Sequence, residues 1–116
     1  MWPLWFHAEA VKWFRKAADQ GDAGAQLNLG LMYLDGLGVP KDYAEAIKWF
    51  RKAAEQGIAQ AQYNLGVMYW RGERASQDFV QAYMWLKLSA AQGVLGAQKS
   101  SDKLAERMTP AQIAEA

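Results

Sequence analysis

Cysteine is absent from all 116 residues. Disulfides, thiol catalysis and cysteine-based zinc sites are therefore excluded. Histidine occurs once, at His7. No apolar run approaches the roughly 18 residues of a membrane-spanning helix. The opening Met1-Trp2-Pro3-Leu4-Trp5-Phe6 is apolar but short. It has no basic leader stretch and no small-residue cleavage site, so it does not read as a signal peptide. Charge of one sign is not in excess: 13 Lys and Arg stand against 12 Asp and Glu, a net charge of +1. A nucleic-acid partner would need a clustered basic face. The absence of cysteine does not settle the compartment, since a periplasmic protein can also lack it; the expected location is cytoplasmic, with the periplasm as the alternative if the natural N-terminus is missing.

What the chain does have is repetition. Trp13-Phe14-Arg15-Lys16-Ala17-Ala18 returns as Trp49-Phe50-Arg51-Lys52-Ala53-Ala54 and again, altered, as Trp85-Leu86-Lys87-Leu88-Ser89-Ala90, each time after 36 residues. A fixed period of that size marks a repeat architecture. Of 29 aligned positions between residues 8–36 and 44–72, eight differ and 21 are identical. Helix propensity alone does not preserve residue types at that rate, so the copies arose by duplication.

The spacing predicts an alternation of helices. From about Ala8, the positions Ala10, Trp13, Phe14, Ala17 and Ala18 follow the helical period. Gly21, Gly57 and Gly93 end the equivalent helices in the left-handed conformation that glycine favours. Further helices are expected at about 22–35, 43–56, 58–71, 79–92 and 94–107. Asp42 with Glu45, and Asp78 with Gln81, read as N-caps of the capping-box kind. Thr109-Pro110-Ala111-Gln112 starts one more helix. Residues 1–7 read as an irregular N-terminal segment, 8–107 as an array of about three copies with the first and last incomplete, and 108–116 as the start of a capping helix. Ala116 falls inside that helix, so the chain is expected to stop short of its natural end. In the last copy Asn64, Gly66 and Tyr69 become Ser100, Asp102 and Ala105, as expected of a terminal repeat with no neighbour on its outer face.

The repeated elements read A-x-A-Q-x-N-L-G-x-M-Y-x-x-G-x-G-V-P-x-D-Y-x-x-A-x-x-W-F-R-K-A-A-x-Q-G over about residues 8–107. This resembles the Sel-one-like repeat family (SLR), a cousin of the tetratricopeptide repeat. The loop Arg74-Ala75-Ser76 departs from the expected Gly-Val-Pro. The resemblance implies an all-α fold, a right-handed superhelix of antiparallel helix pairs. It also implies a bacterial adaptor or scaffold that holds other proteins. One cysteine-rich branch of the family is linked to penicillin-type compounds; its cysteine pairs are missing here, so that activity is not carried over.

Catalytic residues are hard to assemble. His7 aligns with Tyr43 and Phe79 and is expected to fill a packing slot. Ser76, Ser89, Ser100 and Ser101 have no base at a helical spacing, and a nucleophile needs one. No carboxylate cluster suggests a metal, no cofactor is implied, and the chain is expected not to be an enzyme. The basic residues Lys12, Arg15, Lys16, Lys48, Arg51 and Lys52 alternate with aromatics but are expected to form a solvated face balanced by Glu9, Glu45, Asp19 and Glu55.

Binding is the more productive reading. By the resemblance to tetratricopeptide units, the helices at 22–35, 58–71 and 94–107 line a concave groove. At about 100° per residue, Gly24, Leu27, Leu31 and Leu34 share an arc of about 80°. Leu29/Leu65, Gly30/Gly66 and Tyr33/Tyr69 are retained between copies. Leu27/Tyr63/Lys99, Leu31/Val67/Lys103 and Leu34/Trp70/Glu106 vary. A stripe that varies within an otherwise near-identical repeat suits a surface that reads a partner. The expected partner-binding set is Leu27, Asn28, Leu31, Leu34, Tyr63, Asn64, Val67, Trp70, Lys99 and Lys103. Closure of the groove by the chain itself is the alternative. Asn28 and Asn64 match a position that, in the similar units, often bonds a peptide backbone; bridging of neighbouring helices is their other reading. Self-assembly through Trp2, Leu4, Trp5 and Phe6 at one end and the helix after Pro110 at the other, as a homodimer or by helix exchange, is a second functional reading, and a hydrolase or a binder of penicillin-type compounds is a third.

Overall fold

The computed structural model describes residues 3–72 and 78–116, with only the backbone described at Leu4. Trp2 and the loop departure at 74–76 lie outside the described residues. Among the described residues, seven helices follow in order: α1 (Leu4–Asp19), α2 (Ala23–Asp35), α3 (Tyr43–Glu55), α4 (Ala59–Arg71), α5 (Phe79–Ala91), α6 (Ala97–Ala105) and α7 (Pro110–Glu115). The chain divides into two compact units, residues 1–58 and 59–116.

Local chemistry sets most helix ends. Gly21, Gly57 and Gly93 have φ of 94°, 92° and 86°. At each, the residue after glycine closes a six-residue turn, with Asp22 N–H donating to Ala17 O, Ile58 to Ala53 and Val94 to Ser89 at 3.1–3.2 Å. The carbonyls left over at a helix end are satisfied this way. Asp22, Asp42 and Asp78 accept from the backbone N–H of Ala25, Glu45 and Gln81 at 2.8, 3.1 and 3.0 Å.

Three expectations need correction. α1 starts at Leu4, directly after Pro3 in extended conformation, so Leu4 to His7 are helical and not irregular. Proline is well suited to the position before a helix because it has no N–H to satisfy. α6 starts at Ala97, not near 94, because Gly96 adopts a left-handed φ of 85°. The reciprocal arm of the capping boxes is also replaced. The N–H of Asp42 donates to Tyr33 O at 2.9 Å, and that of Asp78 to Tyr69 O at 3.0 Å. The chain thus ties the start of each second helix to the last turn of the first. Thr109 and Gln112 do form the complete box.

In the first unit, α1 and α3 both pack on α2. Trp49 is buried with Val11 and Ala18 of α1 and Ala25, Leu29 and Met32 of α2. Phe50 lies across Gly30, where a Cβ would sit 2.7 Å from the ring. In the second unit, α4 packs on α5, with α6 and α7 also against α5. There Leu86 takes the place of Phe50, and a Cβ on Gly66 would sit 2.9 Å from it. The three tryptophans of the repeated motif are not equivalent. Trp49 is 2% and Trp85 6% exposed, but Trp13 is 67% exposed. Residues of α1 and α2 enclose Trp49, so the expected packing role is seen at Trp49 and Trp85 and not at Trp13.

Trp49→Ala is expected to cost about 3–5 kcal/mol in denaturant unfolding, and Trp13→Ala less than about 0.5 kcal/mol. Gly30→Ala gains at most about 1 kcal/mol of helix propensity, but overpacking against Phe50 costs about 1–3 kcal/mol. A net loss of stability is expected, whereas Gly24→Ala on the exposed face stays within about 0.5 kcal/mol of wild type.

Candidate functional site

The helical period separates two sets of residues on α2. Leu29, Gly30 and Gln26 are buried, facing α1 and α3, while Leu27, Leu31 and Leu34 are half-buried and Asn28 is exposed. Tyr33, retained between copies, is held at the α1 side: the Arg15 guanidinium donates to its hydroxyl and lies over its ring at 5.7 Å. On α4, Leu65 and Gly66 are buried, while Tyr63, Asn64, Val67 and Trp70 are half-buried. Lys99 and Lys103 are exposed on α6.

Within the second unit the varying side chains have two tasks. Tyr63, Val67 and Trp70 pack against the core of Ala82, Leu86, Leu104 and Met108. Part of each therefore stabilises its own unit, and part remains accessible. Asn64 accepts from Gln60, one turn earlier on its own helix, at 2.9 Å. In the first copy Gly24 replaces Gln60, so Asn28 has no such partner on its own helix. Ser100 stands at the third equivalent position.

A second set of residues recurs without having been singled out by the sequence reading. Gln56, at the C-cap of α3, donates to Gln26 Oε1 at 2.9 Å and to Gly21 O at 2.9 Å. Gln92, at the C-cap of α5, donates to Gln62 Oε1 at 2.9 Å. Gln26 and Gln62 are buried. A buried amide needs such a partner, so this glutamine pair fixes the register of each second helix on its first. The signal was the 36-residue spacing of Gln26, Gln62 and Gln98, and of Gln20, Gln56 and Gln92.

The aromatic-basic string has a structural explanation. Lys48 and Lys52 lie over the Trp49 ring at 5.0 and 5.4 Å. Their aliphatic stems cover the indole while their ammonium groups stay in water. Lys12 pairs with Glu9 at 3.5 Å and Lys48 with Glu45 at 3.9 Å. Such exposed pairs add little stability. In the third copy two of these lysine positions become Met84 and Leu88, which with Tyr83, Lys87 and Ala116 line a shallow cavity of about 300 Å³ on α5.

His7 is half-buried and stacks edge-on to Phe6 at 5.9 Å. The hydroxyls of Ser89 and Ser101 donate to carbonyls of their own helices, at Leu86 and Gln98. Among the described residues no group of three or more His, Asp or Glu could hold a metal ion, and no helix is long and apolar enough to cross a membrane.

Helix pairs of 36 residues joined in this way define a class of helical repeat scaffold. The Sel1 repeat family matches residues 7–22, 23–58 and 59–94, and the chain belongs to that family. The match ends before α6. The chain is similar to a protective antigen present in uropathogenic Escherichia coli strains that displays an SLR fold. They share 40% identity and a TM-score of 0.89 over 94% of this chain and 24% of that one. It is also similar to a Sel1 repeat protein from Oxalobacter formigenes, with 39% identity and a TM-score of 0.78 over 81% of this chain and 39% of that one. The chain thus spans well under half the length of either. No curated protein matches it significantly.

Gln62→Ala is expected to lower unfolding stability by about 1–2 kcal/mol, through the lost hydrogen bond and packing. Gln98→Ala, at the exposed equivalent position, should change it by less than about 0.5 kcal/mol.

Proposed function

We propose that this chain is a non-catalytic interaction module that binds a peptide or protein segment through the varying residues of its repeats. One observation carries the reading. On α2 and α4 the identical pairs Leu29/Leu65 and Gly30/Gly66 are buried, while the differing pairs Leu27/Tyr63, Leu31/Val67 and Leu34/Trp70 keep accessible surface, as does the retained pair Asn28/Asn64. Packing demands the first set. Nothing in the fold of a single copy demands the diversity of the second.

The chemistry of the face suggests the ligand class. Leu27, Leu31 and Leu34 offer apolar contact, and Tyr63 and Trp70 are of the types most often found as interface anchors. Asn28 offers a donor and an acceptor together, which suits an extended backbone. Lys99 and Lys103, one turn apart, suit a carboxylate. The segment expected is apolar and carries an acidic residue or a terminal carboxylate. The family relationship supports a scaffold role.

A display library of random peptides, selected on the chain, tests this. Selected peptides should lose affinity by about tenfold or more with Asn28→Ala, and likewise with Lys99→Glu and Lys103→Glu together, while the circular dichroism of these surface variants stays at wild-type level. Tyr63 and Trp70 are poorer probes, because they also pack in the core. Binding unchanged by every one of these substitutions would remove the assignment.

A further inference from the structure

We propose that Gln81 and Trp85 of α5 hold a buried water molecule between them. The inference does not depend on which ligand the varying residues take. It rests on two orphaned atoms. Trp85 Nε1 and Gln81 Oε1 are both buried, and neither has a hydrogen-bond partner. The two residues are four apart on one helix, so their side chains are neighbours on successive turns. The indole N–H can only donate and the amide oxygen only accepts. A single water accepts from the first and donates to the second, which satisfies both. Leaving either atom unpaired in the interior costs stability. Because both atoms are buried, the polar groups of a docked partner do not reach them, and a molecule the size of water does.

The three copies of the motif show why the site occurs in α5. Glu9, Glu45 and Gln81 are equivalent by the 36-residue period, as are Lys12, Lys48 and Met84, and Trp13, Trp49 and Trp85. In α1 and α3 the glutamate pairs with the lysine three residues on, at 3.5 and 3.9 Å, and keeps part of its side chain exposed. In α5 both members of that pair are neutral. No lysine holds the Gln81 side chain at the surface, and an amide loses less than a carboxylate on leaving water. The acceptor is buried instead. Trp49 Nε1 is also buried without a partner, but four residues before it stands Glu45, paired with Lys48. A water at Trp49 lacks the second anchor that Gln81 supplies at Trp85. The loss of the charged pair and the burial of an acceptor beside the tryptophan are thus one change, confined to the third copy.

A crystal structure of the chain at a resolution that shows ordered waters tests the proposal. Wild type should show one water within about 2.7–3.2 Å of both Gln81 Oε1 and Trp85 Nε1. Gln81→Met keeps the length of the side chain without the acceptor and should lose that water. Gln81→Glu combined with Met84→Lys restores the pair of α3 at the surface and should lose it too. In solution, the Trp85 indole proton should show a nuclear Overhauser contact with a long-lived water, and the contact should vanish in both variants. Gln81 keeps its backbone bond to Asp78 in each, so helicity by circular dichroism should stay at wild-type level. A direct Gln81–Trp85 hydrogen bond in wild type, an indole with no water beside it, or a water that persists in either variant would overturn the proposal.

Discussion

Two helices of this chain approach each other as closely as they do because a side chain is missing at the point of contact. Gly30 leaves the room that the Phe50 ring fills, and Gly66 leaves it for Leu86. Glycine costs about 1 kcal/mol of helix propensity at each place, and the close approach offsets that cost by burying the larger side chains. With the backbones this near, the N–H of Asp42 reaches Tyr33 O and that of Asp78 reaches Tyr69 O. The glutamines at the helix ends reach Gln26 and Gln62. The loop, the register and the core all depend on that one contact.

The same residue type takes different environments along the array. Trp49 has α1 and α2 beside it and is buried, whereas Trp13 is exposed. Lysines follow the tryptophan as cover, so the aromatic-basic string is a packing device in the middle copy and a surface feature in the first. Where Met84 and Leu88 replace lysines in α5, the outer face acquires an apolar cavity. In α6, Asp102 stands at the position that Gly30 and Gly66 hold in α2 and α4.

Much of the candidate face was legible in the sequence, because comparing copies separates what packing requires from what it leaves free. Leu29 and Leu65 are retained and fully buried; Leu27 and Tyr63 differ and keep accessible surface. The comparison could not show that Tyr63, Val67 and Trp70 also lean on the core of Ala82, Leu86, Leu104 and Met108. Those contacts join residues of different helices, and no local period reports them. The glutamine pairs were hidden for a related reason: polar residues in a repeat read as surface until a partner is seen across the helix gap.

The sequence by itself determined the repeat, the helices, the left-handed glycines and the aspartate N-caps, because each depends on interactions within about four residues. It did not determine which copy of an identical motif is buried, since that depends on what stands beside it. The destination of the Asp42 and Asp78 N–H groups was also a tertiary matter. A capping glutamate and a carbonyl from the preceding helix compete for one donor, and the close approach at glycine favours the carbonyl. Trp13 and Trp49 have the same neighbours in sequence and opposite surroundings in space, and only the packing of α1 and α2 on α3 distinguishes them.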